Sequence, residues 1–350
     1  MSDHFASEQL RVDLTTRAAQ SALMLDINDP RCAFTPDNVG EFHTLFPLDA
    51  VVDDPDVGSL GCISRVYKAV SGRDGGTYAL RKLDGVKINA DHNAMRKVWG
   101  DLVHPNIVRL RNIFITNEFD GQSNSLTFVH DFVFGAMTLV ERHSRVTDQI
   151  GDISEELVWS YIAQIASALR FLHSRGKAMR CLCASKVLVT PQHRVLLNGA
   201  GVLDVIGDRK AQQNLEALQA EDLRAFGNLL VQTICRSPDS TSQQALPTSI
   251  DYIGAHYHPD LKDLIVFLIS PGSPQQTNIF AACARISGRL LEQLDYTYQH
   301  IDTCHAELAK EIQNGRLFRL LAKINTILER PERNTPAAAT SAPPPPPPPP

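Results

Sequence analysis

The feature that most constrains the fold is a change in hydrophobic period near Ser154. Before Ser154, short β-rich runs alternate with Gly and Asp turns, which predicts an antiparallel sheet built of hairpins. The runs are residues 64–70, 77–83, 106–116 and 125–133. The sequence therefore predicts that the chain begins its folded part with a small sheet lobe.

After Ser154 the apolar residues recur at helical spacing, and Ser154 with the two acids that follow predicts a helix N-terminus. The recurring positions are Leu157, Tyr161, Ile165, Leu169 and Leu172. Residues up to 285 are predicted to be mainly helical, with one β-hairpin at 187–198. We therefore expect an α+β domain over residues 41–285, in which a larger helical lobe follows the sheet lobe.

Composition limits the kind of protein this can be. The 350 residues are 43% hydrophobic and carry a formal net charge of −5, which permits a sizeable core and argues against tight binding of bare nucleic acid through phosphate contacts. The seven cysteines are odd in number and scattered, as is typical of reduced intracellular thiols. No run of 18 apolar residues occurs, so we expect no membrane span and a soluble protein of the cytoplasm or nucleus.

Residues 286–322 form a separate segment, which we predict to be a dimerising coiled coil. Seven positions follow a 3-4 spacing, and five of the seven are Leu or Ile. They are Leu291, Leu294, Tyr298, Ile301, His305, Leu308 and Ile312. A terminal helix packed on its own domain is the alternative, but the repeat stays near 3.5 residues, which favours a dimer seam.

The two ends of the chain are predicted to lie outside the core. Residues 1–40 are polar and interrupted by proline, so we expect a flexible segment with one helix around residues 14–25. Residues 335–350 are of low complexity and end in eight consecutive prolines, which predicts a disordered tail of polyproline II type.

Three motifs in the predicted domain resemble those of protein kinases, in the right order. VHPNIVRLRNIF at 103–114 resembles the stretch between helix C and strand 4, and ALRFLHSRGKAMRCL at 168–182 resembles helix E running into the catalytic loop. DLRAFGNLLVQTI at 222–234 resembles helix F, whose Asp222 is expected to anchor the catalytic-loop backbone. The resemblance implies a bilobal, protein-kinase-like fold.

The groups that perform phosphoryl transfer in kinases are missing at the matching positions. Arg81 stands in the slot of the strand-3 lysine, and no acid that could pair with it occurs between Asp91 and Asp101. The catalytic Asp is replaced by Cys181 and the magnesium-binding Asn by Lys186. The Asp-Phe-Gly position holds either Gly199-Ala200-Gly201 or, in the neighbouring register, Asn198-Gly199-Ala200. We therefore predict a pseudokinase with no catalytic residue and no metal site.

Four further segments resemble one pseudokinase family more closely, the regulatory subunit of the PAN poly(A)-nuclease deadenylation complex. They are EFHTLFPLD at 41–49, the run at 65–85, ASKVLV at 184–189 and NGRLFRLLAKINTILERPE at 314–332. The resemblance implies a pseudokinase domain, a dimerising coil and a C-terminal knob domain. We expect the knob to be truncated here, with only its start at 323–334.

The resemblance also implies that the cleft holds ATP without turning it over, in a manner that depends weakly on magnesium because Lys186 replaces the Asn ligand. The residues implied are Arg81, Asp131, Phe132, Val133, Phe134, Gly135, Ala136, Met137, Thr138, Ser185 and Lys186. The alternative is that Arg81 and Lys186 are solvated or salt-bridged surface charges. Cys181 is expected to be a buried structural thiol rather than a nucleophile, because nothing orients His173 as its base.

By the same resemblance, the chain would recruit and stimulate the catalytic nuclease that shortens mRNA poly(A) tails. Poly(A)-binding protein and Trp-bearing silencing proteins are implied as further partners, and cytoplasmic P-bodies as the location. Direct contact with poly(A) stays open. Two other functions also stay open: an atypical active kinase that uses Lys82 or Asp204, and a kinase-like adaptor of another pathway.

Overall fold

The computed structural model describes residues 6–26, 28–49, 60–121, 123–143, 153–207, 214–270 and 276–329. These residues fall into two compact units. The larger unit spans residues 12–297, and the smaller unit combines the start of the chain up to residue 11 with the stretch from residue 298 onward. The predicted tail at 335–350 and residues 330–334 of the predicted start of the knob lie outside the described residues.

The sheet lobe is the predicted antiparallel sheet of hairpins, and its strands run in the order β1-β2-β3-β4-β6-β5. The strands are β1 Asn38–Val39, β2 Phe42–Pro47, β3 Ile63–Ser71, β4 Thr77–Asp84, β5 Leu110–Thr116 and β6 Ser125–Asp131. In β4 the successive side chains alternate between two apolar layers. Leu83 joins the main core together with residues of the helical lobe, whereas Leu80 joins a separate cluster on the outer face.

The helical lobe contains the main core and a small second sheet. The second sheet is formed by β7 Met137–Thr138, β8 Val187–Val189 and β9 Val195–Leu197, which includes the predicted hairpin. The helices are α1 Glu8–Ser21, α2 His92–Gly100, α3 Leu139–His143, α4 Glu155–His173, α5 Val202–Ile206, α6 Leu215–Ile234, α7 Leu246–His256, α8 Pro259–Ile269, α9 Ile279–Arg285 and α10 Ser287–Leu328. Short 3₁₀ turns lie at Pro30–Phe34 and Pro238–Thr241.

Helix α4 shows how the local sequence produces the fold. The Ser154 side chain accepts a hydrogen bond from the Leu157 backbone N–H, and Glu155 and Glu156 follow in the first turn, where they favour the positive end of the helix dipole. Four of the five predicted stripe positions are fully buried in the main core. They are Tyr161, Ile165, Leu169 and Leu172. The helix that the sequence predicts is therefore the central helix of the lobe.

The N-terminal helix differs from its prediction in position. The expected helix at residues 14–25 is observed at Glu8–Ser21, and it contributes no buried residue to the core. Its sequence has no apolar stripe, so the burial pattern that located α4 was absent here. Of the helices in the described part of the chain, none is both long enough and apolar enough to cross a membrane.

Candidate functional site

Arg81 occupies the inner face of the sheet, toward the helical lobe. Residues of β4 alternate in direction, so Arg81 points to the same side as Leu83 of the main core. The residue is 4% exposed, and its Nη1 donates a hydrogen bond to Ser64 Oγ at 3.0 Å. The Nε atom is buried and has no hydrogen-bond partner among the described residues. The site therefore holds a desolvated cation with an unused donor.

Lys186 is a second, half-buried cation that is close enough to Arg81 for the two charges to interact. Burial lowers the pKa of the Lys186 ammonium, and the neighbouring Arg81 charge lowers it further. Burial also lowers the pKa of Arg81, which the exposed carboxylate of Asp49 partly offsets. Asp49 accepts a hydrogen bond from Val66 N at 2.6 Å and makes no ion pair with either cation, within the described residues. The stretch 50–59, which carries three further acids, lies outside the described residues.

His130 is a third polar group on this face, and the sequence reasoning did not single it out. Arg81 pairs across the sheet with Phe128 of β6, and His130 lies two residues further on the same face. The imidazole is 2% exposed, and its Nε2 has no hydrogen-bond partner among the described residues. Burial and the Arg81 charge lower its pKa to about 3, so the ring is neutral at physiological pH. Its place beside Arg81 depends on the pairing register of β4 and β6, which the sequence alone does not give.

Cys181, the residue predicted at the position of the kinase catalytic Asp, is a buried, protonated thiol. The Cys181 Sγ atom donates to the Gly199 carbonyl oxygen at 3.3 Å and is fully enclosed. Burial raises the pKa of Cys181 to about 12, so the thiolate needed for nucleophilic chemistry does not form near neutral pH. This agrees with the expected structural thiol.

The segment at the Asp-Phe-Gly position is closed by an aromatic side chain. Gly199 and Gly201 have φ values of +84° and +82°, where glycine is favoured. A Cβ atom built on Gly201 would lie 2.7 Å from Cγ of Trp99, which α2 places against this turn. Trp99 Nε1 donates to Asp204 Oδ2 at 3.0 Å. The indole therefore packs against the backbone of the turn that follows β9.

Asp222 carries the anchoring role expected of it. Its carboxylate is 1% exposed and accepts from the backbone N–H groups of Met179 and Arg180 at 2.6 and 2.7 Å. His173 Nε2 lies 3.0 Å from the same carboxylate. Arg180 is held in the left-handed region at φ +62°, a conformation that costs energy and needs such support. These three contacts fix the backbone that leads into Cys181.

The two residues suggested for an atypical active kinase are engaged elsewhere. Lys82 points to the outer face, where its Nζ pairs with Asp84 Oδ2 at 3.0 Å and lies 5.3 Å from the Phe119 ring centre. Asp204 receives Arg180 Nη1 at 2.9 Å as well as the Trp99 indole. No group of three or more His, Cys, Asp and Glu side chains in the described ranges is arranged to hold a metal ion.

The segment 131–138, which joins the two lobes, is held by contacts within the protein. Asp131 pairs with Arg111 through contacts of 2.6 and 3.0 Å. The rings of Phe132 and Phe134 meet edge to face at 4.9 Å, and the Ala136 N–H donates to the Val133 carbonyl. These contacts stiffen the segment and orient it between the lobes.

The remaining predicted contact residues also have partners within the protein. The Gly135 N–H donates to Gln20 Oε1 at 2.5 Å. Met137 and Thr138 form β7 opposite β8, and Thr138 and Glu141 exchange reciprocal hydrogen bonds that begin α3. Ser185 Oγ lies 3.3 Å from Cys183 Sγ. Of the predicted nucleotide contacts, Arg81 and Lys186 are therefore the ones the structure brings together as charged groups.

The predicted dimer seam is exposed along α10. The six apolar and aromatic positions of the seam are between 41% and 66% exposed in the single chain. They are Leu291, Leu294, Tyr298, Ile301, Leu308 and Ile312. Each lies within the uninterrupted helix Ser287–Leu328, as the heptad spacing requires.

The sheet lobe, the helical lobe and the Asp222 anchor together define the class of this chain, which has a protein-kinase-like fold. A family model for the protein kinase domain matches residues 54–204. A second model, for the Pan3 C-terminal knob domain, matches residues 279–341. The second match begins before the predicted coil at 286–322 and ends beyond the predicted start of the knob at 323–334.

More particularly, the chain is similar to PAN3 subunits of the PAN2-PAN3 deadenylation complex, which confirms the predicted resemblance. It is 38% identical over 330 residues to the subunit of Dictyostelium discoideum, which covers 93% of this chain and 44% of that protein. The solved PAN3 pseudokinase of Neurospora crassa is 28% identical, covers 93% of this chain and 81% of its own, and gives a TM-score of 0.82. PAN3 in its complex with Neurospora crassa PAN2 is 28% identical and gives a TM-score of 0.83. This match covers 93% of this chain and 79% of that one. The chain spans about half the length of the curated relatives it matches, or less.

Proposed function

We propose that the chain is a non-catalytic regulatory subunit of a poly(A)-nuclease deadenylation complex. The observation that carries this proposal is the likeness to PAN3 along 93% of the chain, in both sequence and structure. The cleft geometry supports the non-catalytic part, because Cys181, Lys186 and Gly199 stand where kinases place their base and metal ligands. The subunit would present its body to the nuclease and bring the nuclease to mRNA poly(A) tails in the cytoplasm, including P-bodies.

The same subunit would bind ATP without transferring its phosphoryl group. The buried Arg81 with its unused Nε donor and the nearby Lys186 fit a polyphosphate, because fixed cations in a desolvated site offset anionic charge. The 131–138 segment would contact the adenine base, and Ser185 would lie beside the phosphates. Lys186 would supply part of the charge that a magnesium ion supplies in kinases, so affinity would depend weakly on magnesium.

Titration of the purified chain with ATP, with and without magnesium, tests the nucleotide proposal. We expect saturable binding in both conditions, with dissociation constants that differ by less than about tenfold, which corresponds to roughly 1.4 kcal/mol. Absence of a saturable signal in both conditions would remove ATP binding from the proposal. Transfer of labelled γ-phosphate to any acceptor would contradict the non-catalytic assignment and favour the active-kinase alternative.

Recruitment of the nuclease is tested by direct binding. Immobilised full-length chain should retain the purified catalytic subunit of a PAN complex, and it should raise the rate of poly(A) shortening in a defined reaction. A matched chain with a complete knob domain gives the comparison. If neither immobilised chain retains the nuclease, the result would favour an adaptor of another pathway. Poly(A)-binding protein and Trp-bearing silencing proteins are tested in the same format.

Dimerisation would use the exposed stripe of α10. Burial of the stripe against a second copy would remove its apolar surface from water, which supports the proposal. Leu294→Asp with Ile301→Asp should yield monomers by light scattering at micromolar concentration. Gln299→Asp with Thr303→Asp adds the same charge off the stripe and should leave the dimer intact. A monomeric parent chain would overturn the seam.

A further inference from the structure

The turn that follows α1 is attached to the inner face of the sheet. Lys68 of β3 is fully buried, and its Nζ donates to the backbone carbonyls of Ser21 and Leu23 at 2.6 and 2.7 Å. A buried ammonium needs such acceptors, because an unpaired charge inside a protein is costly. The residues concerned are separated from Lys68 by 47 and 45 positions, so this is a tertiary contact and not a local turn.

The strand register places this contact at the hinge end of the nucleotide cleft. Tyr67 and Ala69, on either side of Lys68, join the outer cluster, so Lys68 points to the inner face. Lys68 lies opposite Ala79, and Ala79 lies opposite His130. This row is two residues from the row that holds Arg81, about 7 Å along the strands. The backbone at Ser21 and Leu23 therefore lies beside the base end of the cleft and apart from its charged end.

The other side of the same stretch is attached to the segment between the lobes. Gln20 Oε1 accepts from the Gly135 N–H at 2.5 Å, and the Arg17 guanidinium carbon lies 4.8 Å from the centre of the Phe134 ring. Residues 17–23, which we call the gate segment, thus touch both walls of the cleft mouth. One wall is β3 of the sheet, and the other is the 131–138 segment.

The gate segment is held by few contacts and by no apolar burial. Helix α1 has no buried residue, and Leu23 and Met24 are 36% and 67% exposed. Helix α1 also contacts this unit at Asp13, whose carboxylate accepts a hydrogen bond from Gln192 Nε2. Segments with few buried apolar contacts open at low free-energy cost. The gate segment can therefore leave the cleft mouth without disturbing the core, provided that water replaces the Ser21 and Leu23 carbonyls as acceptors for Lys68.

We propose that the gate segment closes the base end of the cleft and competes with the base of a bound nucleotide, whereas phosphate groups would reach Arg81 and Lys186 without displacing it. This rests on the proposed ATP binding. Because the cleft is open only part of the time, the apparent dissociation constant of a nucleotide is the intrinsic constant divided by the fraction of molecules that are open. A polyphosphate without a base would not need the gate segment to move.

The test compares ATP with inorganic tripolyphosphate on the full-length chain and on Arg17→Ala/Gln20→Ala, which removes both contacts to the 131–138 segment. The control is Thr15→Ala/Thr16→Ala, two exposed positions on the same helix. We expect the gate variant to bind ATP at least about fivefold more tightly than the parent, with tripolyphosphate within twofold in all three chains. Far-ultraviolet circular dichroism and thermal unfolding confirm that the variants fold.

Four outcomes are distinguishable. Equal ATP affinity in parent and gate variant overturns the gate and leaves ATP binding in place. ATP binding by the variant alone supports the gate and overturns ATP binding by the parent chain. No ATP binding by any chain overturns both. Tightening of ATP and tripolyphosphate alike also overturns the gate, because a base-end barrier discriminates between them.

Amide hydrogen exchange gives a second reading that needs no substitution. ATP should accelerate exchange in α1 and at Gly135 of the parent chain, because the gate segment must leave when the base enters. Tripolyphosphate should leave exchange in α1 unchanged. Slower or unchanged exchange in α1 on ATP binding would contradict the competition.

Discussion

The surroundings of Asp222 and the surroundings of Arg81 lie in one fold but differ in what their polar groups have to bind. At Asp222 a buried carboxylate meets three donors, from Met179, Arg180 and His173, and its hydrogen-bonding capacity is used inside the protein. At Arg81 the inner face holds a desolvated cation whose Nε lacks a partner within the described residues. The first arrangement stabilises the chain, and the second costs stability unless a ligand completes it.

This difference shows which parts of a kinase-like fold can change independently. Asp222, which holds the backbone, keeps its partners here, whereas the residues predicted at the positions of the base and the magnesium-binding Asn are Cys181 and Lys186. A substitution near Asp222 should therefore cost folding, and a substitution on the inner face should cost ligand binding alone. The predictions below separate these two effects.

The largest effect is expected for Asp222→Ala. Removing the carboxylate leaves two buried N–H groups and His173 without their acceptor, which should lower the free energy of unfolding by about 3–5 kcal/mol. Urea unfolding followed by circular dichroism measures the change. Asp263→Ala, at an exposed position of α8, should stay within about 0.5 kcal/mol of the parent. Comparable losses in the two variants would show that Asp222 is no anchor.

The next effect concerns ligand affinity and compares two neighbouring cations. Arg81→Gln should weaken ATP binding by about tenfold to a hundredfold, the range for hydrogen bonds to charged groups, and it should leave thermal stability equal or higher. Lys82→Gln removes the same charge on the opposite face, where Lys82 pairs with Asp84, so ATP affinity should be unchanged. Isothermal titration calorimetry measures the ATP affinity of both variants. Equal losses of affinity would mean that Arg81 acts only through the net charge of the protein.

A smaller effect is expected in the dependence of stability on pH. Burial lowers the pKa of His130 to about 3 and that of His143 to about 4, whereas an unfolded imidazole titrates near 6.5. Between these values the unfolded chain binds more protons than the folded chain. The stability contributed by the neutral rings is therefore complete above about pH 6.5 and falls as the pH is lowered.

His130→Phe tests this directly, because it keeps a ring and removes the titrating group. The variant should lose less stability than the parent between pH 6.5 and pH 4, with the slope from His143 remaining. Thermal unfolding at several pH values measures it. The exposed His256→Gln serves as the control and should follow the parent. A parent curve that is flat over this range would contradict the neutral buried rings.

The smallest effect is expected for Trp99→Phe. The change keeps an aromatic ring against Gly201 and removes one hydrogen bond to Asp204, which should cost about 1 kcal/mol. Trp99→Ala would also open a cavity and should cost about 3–5 kcal/mol. Near-equal losses in urea unfolding would mean that the indole N–H and not the packing holds this turn.

The fold and the anchor could be predicted from the sequence because their signals are local and periodic. The stripe around Tyr161, the cap at Ser154 and the hairpin at 187–198 each follow from spacing within a few residues. The replacement of the catalytic Asp by Cys181 was predicted from motif order and stays a prediction. The place of Arg81 in the slot of the strand-3 lysine was predicted in the same way.

The gate segment and His130 could not be found in this way. Gln20 and Gly135 are separated by 115 positions, and α1 has no apolar stripe that would predict where it packs. Contacts of this kind are polar and few, so composition and periodicity do not encode them. His130 was hidden for a different reason, since its meaning depends on the cross-strand register with Arg81.

The glycines after β9 limit the substitutions by which this cleft could acquire a metal ligand. Any side chain on Gly201 would collide with the Trp99 ring, and one on Gly199 would have to accommodate Cys181 Sγ at 3.4 Å from its Cβ. An aspartate at 199 would be strained by the φ of +84°, and position 186 would still hold a lysine where kinases have asparagine. A metal site of the kinase type would therefore need several substitutions at once, none of which would complete it alone.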